Sequence, residues 1–155
     1  MAHARKQIRD AVKQILDENS SARWNAVLAT RIAPTRVVWP FLLVFSDGEP
    51  NVVTTIQSPT VHERDMSLSI VAAVRISQDK ENVEDAMDDI CKDIEETLTT
   101  AALHAKLTLK NIILELTSSE FTVIVDDEDR VDHAEVLMNW SIRYYTNEGL
   151  PEVLL

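Results

Sequence analysis

Residues 134–146, with the sequence AEVLMNWSIRYYT, alternate between apolar and polar side chains along almost their whole length. The apolar residues of this stretch are Ala134, Val136, Met138, Trp140, Ile142 and Tyr144. The intervening polar residues are Glu135, Asn139, Ser141 and Arg143. Because successive side chains of a strand point to opposite sides of its sheet, this pattern predicts a long, half-buried β-strand.

Two earlier segments have equally regular patterns. Apolar side chains alternate over residues 66–76, which predicts a second long strand. Over residues 82–98, apolar residues recur at helical spacing behind Asn82, a residue type that caps helix N-termini. Nine acids and two lysines lie between positions 79 and 96, so this predicted helix and the residues just before it carry a net charge of −7.

The N-terminal segment 3–17 predicts another helix, because its apolar residues also recur at helical spacing. Opposite the apolar side, Arg5, Arg9 and Lys13 form a basic row. Cations near a helix N-terminus are mildly unfavourable, so helix stability does not explain Arg5. The row is either a solvated face or an electrostatic contact with an acidic neighbour, such as another copy of this protein.

The remaining segments have weaker patterns. We interpret residues 24–32 as irregular or a short strand, 37–45 as a core strand, 46–50 as a turn, 51–63 as a loop projecting from the sheet, 101–106 as a short helix or turn, and 121–125 as a strand leading into an acidic turn at 126–129. A hairpin return is the alternative for residues 51–63. Residues 107–116 are apolar but ambiguous, and residues 147–155 are interpreted as a C-terminal tail.

These elements predict the fold class. We expect an α+β fold in which a mixed, mainly antiparallel β-sheet of about four or five strands packs against two main α-helices. At 155 residues the chain is long enough for a single domain over residues 1–155 with a substantial core.

Composition excludes several functional classes. A net charge of −11 argues against a general nucleic-acid-binding surface. With only two glycines, Gly48 and Gly149, the chain cannot form a Walker loop, a dinucleotide-binding loop or a G-x-S-x-G elbow. The single cysteine, Cys91, excludes an internal disulfide, and no apolar stretch is long enough to span a bilayer. We therefore expect a protein made in the cytoplasm, without a signal peptide or a membrane segment.

Catalytic patterns are scarce. The four histidines are scattered without an H-x-x-x-H pair, and no Ser or Cys is placed to suggest a catalytic triad. The acidic turn Asp126, Asp127, Glu128 and Asp129 resembles half of a calcium loop but lacks its spacing and its terminal glutamate. We expect a protein that is not an enzyme and needs no cofactor or metal. The alternative is a metal-dependent hydrolase that uses Asp126, Asp127, Asp129 and His133.

The order and wording of the elements resemble a known family. Four stretches carry the resemblance: RKQIRDAVKQIL at 5–16, WPFLLVF at 39–45, EDAMDDI at 84–90 and DHAEVLMNWSIRYYT at 132–146, with the long strand 66–76 between the second and the third. In this order they resemble the tail terminator proteins of long-tailed phages, also called tail completion proteins, of the minor tail protein U type. In that family a helix of the R-x-A-V type opens the chain, a proline-led strand and a central helix follow, and an aromatic strand closes it.

The resemblance implies a structural virion protein that assembles as a hexameric ring. Such a ring caps the head-proximal end of the tail tube, stops tube polymerisation and provides the head-joining surface. Its implied partners are other copies of itself, the tail tube protein on one face and a head connector or neck protein on the other. Genomic DNA would pass through the lumen without sequence-specific binding. Another head–tail connector or head completion protein is the alternative.

A ring requires one patch of each subunit to meet a different patch of the next, and a basic helix with an acidic helix supplies complementary surfaces. The candidate inter-subunit contacts are Arg5, Arg9, Lys13, Asp88 and Glu95. The candidate loop residues that face the tube or the lumen are Thr54, Thr55, Asp126, Asp127, Glu128 and Asp129.

Overall fold

Three helices and seven strands occur within the residues that the computed structural model describes, which are 2–19, 23–55, 58–75, 83–108, 111–125 and 131–155. The helices are α1 (Ala4–Asp17), α2 (Val83–Thr97) and α3 (Thr100–Leu107). The strands are β1 (Ala26–Leu28), β2 (Phe41–Gly48), β3 (Asn51–Val53), β4 (Val61–Arg75), β5 (Ile113–Val125), β6 (Val131–Asn147) and β7 (Leu150–Leu154).

Strands β4 and β6 form the centre of the sheet. They pair antiparallel without interruption, from Val61 opposite Asn147 to Arg75 opposite His133. On either side of this pair, β2 lies beside β4 and β5 lies beside β6. The short strand β1 runs parallel to β2, and all other pairings are antiparallel. In the strand order of the described residues, β1 and β5 are therefore the two edges of the sheet.

The predicted buried face of β6 is confirmed. None of the six side chains predicted for that face, those of Ala134, Val136, Met138, Trp140, Ile142 and Tyr144, is more than 5% exposed. Directly opposite them, β4 contributes buried side chains from Met66, Leu68 and Ile70. Each fully buried side chain of this size contributes about 1.5–3 kcal/mol to folding, so the two long strands supply a large part of the core.

All three helices cover this same face. Ile8 and Leu16 of α1, Ile94 of α2 and Leu103 of α3 are fully buried in the apolar cluster that contains the strand residues. Helix α1 packs over β1 and β2, whereas α2 packs over β4 and β6. The two predicted helices are confirmed to within one residue at the described ends, and His3 caps α1 by accepting a hydrogen bond from the Arg5 amide. The predicted cap Asn82 lies outside the described residues.

The α+β fold with a mainly antiparallel sheet is confirmed, but the predicted numbers of strands and helices are too small. Residues 100–107 form a complete third helix, and β5 begins eight residues before the predicted strand at 121. The predicted turn at 46–50 also begins too early, because β2 continues to Gly48 through a bulge. Pairing with the long neighbours β4 and β6 extends these strands beyond their own local patterns.

The loop prediction for residues 51–63 is wrong over much of its length. Residues 51–53 form β3, which returns on β4 with Val52 opposite Glu63. The alternative, a hairpin return, describes this segment correctly. Thr54 and Thr55 lie in the connection that follows, and they bond to the first residue of β4, Val61.

The prediction of a C-terminal tail at 147–155 is also wrong. Gly149 adopts a φ of +74°, a conformation that L side chains rarely adopt, and it turns the chain so that β7 pairs with β6. Leu154 packs against the main apolar cluster, and the Gln7 side chain donates a hydrogen bond to the Glu152 carbonyl at 2.6 Å. Burial of an apolar side chain and new backbone hydrogen bonds offset the entropy lost on ordering this segment.

The opposite face of the sheet carries no helix among the described residues. At one edge, Phe41, Leu43 and Ala73 form a small second apolar cluster, against which Val37 and Trp39 pack. The middle of this face is polar. Ser69 lies within hydrogen-bond distance of both Asp47 and Asn139, and it is only 2% exposed.

Candidate interaction surfaces

A groove of about 580 Å³ separates α2 from the edge strand β5. Its lining residues are Asp88, Cys91, Lys92, Glu95, Glu96, Ser119 and Phe121. The two candidate acids from the sequence, Asp88 and Glu95, are therefore brought together on one wall of the same groove. The strand residue Phe121 forms part of its apolar lining, and no periodic pattern in the sequence marked it.

A bulge in β5 explains why Phe121 faces this groove. The register shifts between Leu116 and Ser118, so Leu116 pairs with Trp140 before the bulge and Phe121 pairs with Val136 after it. A bulge adds one residue to the strand, so the side chains after it switch faces. Even-numbered side chains face the helices before the bulge, and odd-numbered side chains face them after it. Without the bulge, Phe121 would point to the opposite face.

The second half of β5 exposes an apolar stripe. Phe121 is 49% exposed and Val123 is 41% exposed, although their paired residues on β6 are buried. They remain uncovered because α2 packs over β4 and β6, and the groove separates it from the edge strand. No strand pairs with the outer side of β5 within the described part of the chain. An exposed apolar edge strand is a site at which another chain can bind.

The acids of α2 differ in how they are neutralised. Arg23 lies 3.1 Å from Asp93 and 3.5 Å from Asp89, and Lys92 lies 3.8 Å from Glu96. Asp88 and Glu95 form no hydrogen bond or ion pair with any residue that the structure describes. Burial and the nearby charges of Glu95 and Asp88 raise the pKa of the Cys91 thiol to about 11. The groove is therefore negatively charged.

The cations of the basic row on α1 also differ in whether they have a carboxylate partner. Lys13 lies 3.3 Å from Asp17, one turn further along the helix, and Lys6 lies 2.6 Å from Asp10. Among the described residues, neither Arg5 nor Arg9 forms an ion pair, and the buried Nε of Arg9 has no hydrogen-bond partner. Of the three predicted cations, Arg5 and Arg9 thus carry the uncompensated charge.

Of the two sets of candidate loop residues, the described part of the chain contains only Thr54 and Thr55. Thr54 and Thr55 bond to Val61, which pairs with Asn147 at the C-terminal end of β6. The acidic residues 126–129 lie outside the described residues.

A second cleft, of about 680 Å³, lies on the face without helices. The Arg75 guanidinium lies 5.2 Å from the centre of the Trp39 ring, and the rings of Trp39 and His133 are also 5.2 Å apart. His133 Nδ1 lies 2.8 Å from Asp132, and its Nε2 lies 3.2 Å from Glu135. Both ring nitrogens are thus already engaged with carboxylates of the same strand.

A buried polar network joins the end of β2 to the centre of the sheet. The Tyr144 hydroxyl donates a hydrogen bond to Oε2 of Glu49, and the Arg64 guanidinium donates one to Oε1, both at 2.6 Å. Arg64 also donates to the Thr146 hydroxyl at 2.9 Å. The Glu49 side chain is only 5% exposed. Sequence patterns did not indicate this network, because Glu49 stands in a segment of turn-forming residues and only strand pairing brings Arg64 and Tyr144 together.

No group of three or more His, Cys, Asp or Glu among the described residues is arranged to hold a metal ion. The three aspartates of the hydrolase alternative, Asp126, Asp127 and Asp129, lie outside these residues. No helix in the described part of the chain is long and apolar enough to cross a membrane.

No protein-family model matches the chain, and a search of curated proteins finds no significant match. A functional assignment therefore depends on the order of the elements and on the chemistry of the surfaces described above.

Proposed function

We propose that this chain is a ring-forming tail terminator of a long-tailed phage, located at the head-proximal end of the tail in the virion. The ring caps the tail tube, stops further addition of tube subunits and provides the surface that joins the head. This is structural work without substrate turnover, so the proposal requires no catalytic group, cofactor or resident metal.

The observation that carries the proposal is the resemblance in element order, quoted above, together with how those stretches pack. The stretches 5–16 and 84–90 lie on two helices over one face of the sheet. The stretches 39–45 and 132–146 supply or lead into strands β2 and β6 of that sheet. The four stretches therefore belong to one packed unit, as a subunit of that family requires.

The charge of the chain also supports a ring around DNA. The net charge of −11 disfavours adhesion of DNA to a surface that lines its path, because like charges repel. Thr54 and Thr55, and the acidic residues 126–129, remain the candidates for loops that face the tube or the lumen.

Solution mass is the first test. A ring of six copies would have about six times the monomer mass of 17.5 kDa, which native mass spectrometry resolves from smaller oligomers. We expect this species either in the free protein or after incubation with tail tubes. A chain that stays monomeric under both conditions would contradict the proposal.

Tube assembly distinguishes a terminator from another neck protein. Added to growing tubes, a terminator binds one end and stops elongation, whereas a connector or head completion protein leaves tube length unchanged. In co-precipitation we expect the chain to retain tail tube protein. Retention of portal or adaptor protein alone would favour the head completion alternative. Tight binding of one divalent ion per chain, measured by calorimetry, would instead favour a metal-dependent hydrolase.

A further inference from the structure

We infer that the groove between α2 and β5 receives helix α1 of a second copy of this chain, with Arg5 and Arg9 placed against Asp88 and Glu95. The inference rests on the proposed ring, which supplies the second copy. It assigns the contact to two defined surfaces and to particular residues.

Charge complementarity is the first argument. Asp88 and Glu95 are the groove acids without a partner among the described residues, because Glu96 already lies 3.8 Å from Lys92. On α1, the cations without a carboxylate partner in the described chain are Arg5 and Arg9. Uncompensated charges of opposite sign on separate surfaces favour docking in one orientation and speed association.

The apolar lining of the groove is the second argument. Phe121, which lines the groove opposite the acids of α2, exposes 49% of its surface. An arginine side chain can cover such a surface with its aliphatic stem while its guanidinium reaches a carboxylate, and it can also stack on an aromatic ring. Arginine therefore suits a groove that combines Phe121 with Asp88 and Glu95 better than a compact cation does.

The positions of the two helices are the third argument. Helix α1 packs over β1 and β2 and also contacts β7 and α3, whereas α2 packs over β4 and β6, beside the groove at β5. A contact from α1 of one subunit to α2 of the next joins different patches. Such a head-to-tail contact repeats from subunit to subunit and closes into a ring when the rotation permits it.

Matched charge reversals test the pairing. The double variant Arg5→Glu/Arg9→Glu should weaken ring formation by about tenfold or more, and Asp88→Lys/Glu95→Lys should do the same. The control Lys6→Glu/Lys13→Glu makes the same charge change on the same helix. Because those lysines pair with Asp10 and Asp17, the control should weaken the ring much less. Combining the first two double variants should restore the ring.

A pair of uncharged variants tests the apolar lining. Phe121→Ser should weaken the ring, whereas Ile113→Ser should not, although both residues are 49% exposed and lie on β5. Ile113 is outside the groove lining. Each variant is checked by circular dichroism and thermal unfolding at concentrations where the chain is monomeric. These measurements identify any variant that fails to fold. A folded quadruple charge variant that assembles supports the pairing even if one double variant misfolds.

The outcomes separate this inference from the proposed function. A ring that forms normally in Arg5→Glu/Arg9→Glu overturns the inference while the terminator proposal stands. If the variants behave as expected but the ring neither binds tail tubes nor stops their growth, the inference is supported and the terminator proposal is overturned. A wild-type chain that stays monomeric, with and without tubes, overturns both.

Discussion

The Tyr144 hydroxyl donates a 2.6 Å hydrogen bond to Glu49, a residue 95 positions earlier in the chain. Glu49 follows directly after β2, and Tyr144 lies 1% exposed on the core face of β6. Arg64 binds the other oxygen of the same carboxylate. This contact attaches the connection between β2 and β3 to the centre of the sheet.

Removing the Tyr144 hydroxyl should destabilise the fold. In Tyr144→Phe the buried Glu49 carboxylate loses a donor that solvent cannot readily replace, so we expect the free energy of unfolding to fall by about 1–3 kcal/mol. Tyr145→Phe is the matched control, since Tyr145 donates a longer bond of 3.2 Å to the more exposed Glu63. Its effect should stay within about 0.5 kcal/mol. Equal losses in urea unfolding of the two variants would contradict the network.

Stability should depend on pH through Tyr144 above about pH 10. Burial, followed by the hydrogen bond to Glu49, raises the pKa of Tyr144 above the ~10 of an unfolded tyrosine. The folded state therefore keeps this proton where the unfolded state loses it. The contribution is fully present below about pH 10 and decreases as pH rises further. Urea unfolding between pH 9 and 11 should show a steeper decline for the wild type than for Tyr144→Phe. Parallel curves would rule out this linkage.

The Cys91 thiol should react slowly in the folded protein. Its pKa of about 11, raised from 9.0 by burial and by Glu95 and Asp88, lowers the thiolate fraction near pH 8 by about 100-fold. The side chain is also only 7% exposed. We expect a thiol reagent to modify Cys91 at least 100 times more slowly in the native protein than in the urea-unfolded chain. Similar rates in both states would show that the groove opens readily.

Gly149→Ala should destabilise the turn between β6 and β7. A Cβ at this position would meet no atom within 4 Å, so the cost comes from the φ of +74° rather than from a clash. We expect a loss of about 1–2 kcal/mol. At Gly48 a Cβ also meets nothing within 4 Å, and no positive φ is involved. The control Gly48→Ala should therefore have a smaller effect in urea unfolding, and the opposite order would refute this explanation.

The long periodic elements were predictable because their patterns extend over many residues. The alternation over residues 134–146 predicts one buried face without any knowledge of the neighbouring strands. Helices α1 and α2 each carry a continuous apolar stripe. Short elements were predicted less well. β3 and β7 contain three and five residues, and they form strands because β4 and β6 offer unpaired backbone groups beside them.

The candidate site could be predicted only in part for a related reason. The sequence indicated Arg5, Arg9, Asp88 and Glu95 by charge alone, and it did not distinguish Arg9 from Lys13. Ion pairing separates them, because Lys13 has Asp17 one turn away and Arg9 has no carboxylate partner in the described residues. Phe121 joined the site only through the bulge in β5, which one-dimensional periodicity does not register.

The sequence by itself determined a single acidic α+β unit with two long strands, a basic helix and an acidic helix, because hydrophobic periodicity and charge are local properties of the chain. Tertiary structure alone decided three further features. It placed Glu49 against Tyr144, turned the C-terminal residues into β7 and opened the groove between α2 and β5. Each of these depends on the register of distant strands, which is set by how the whole sheet packs against its helices.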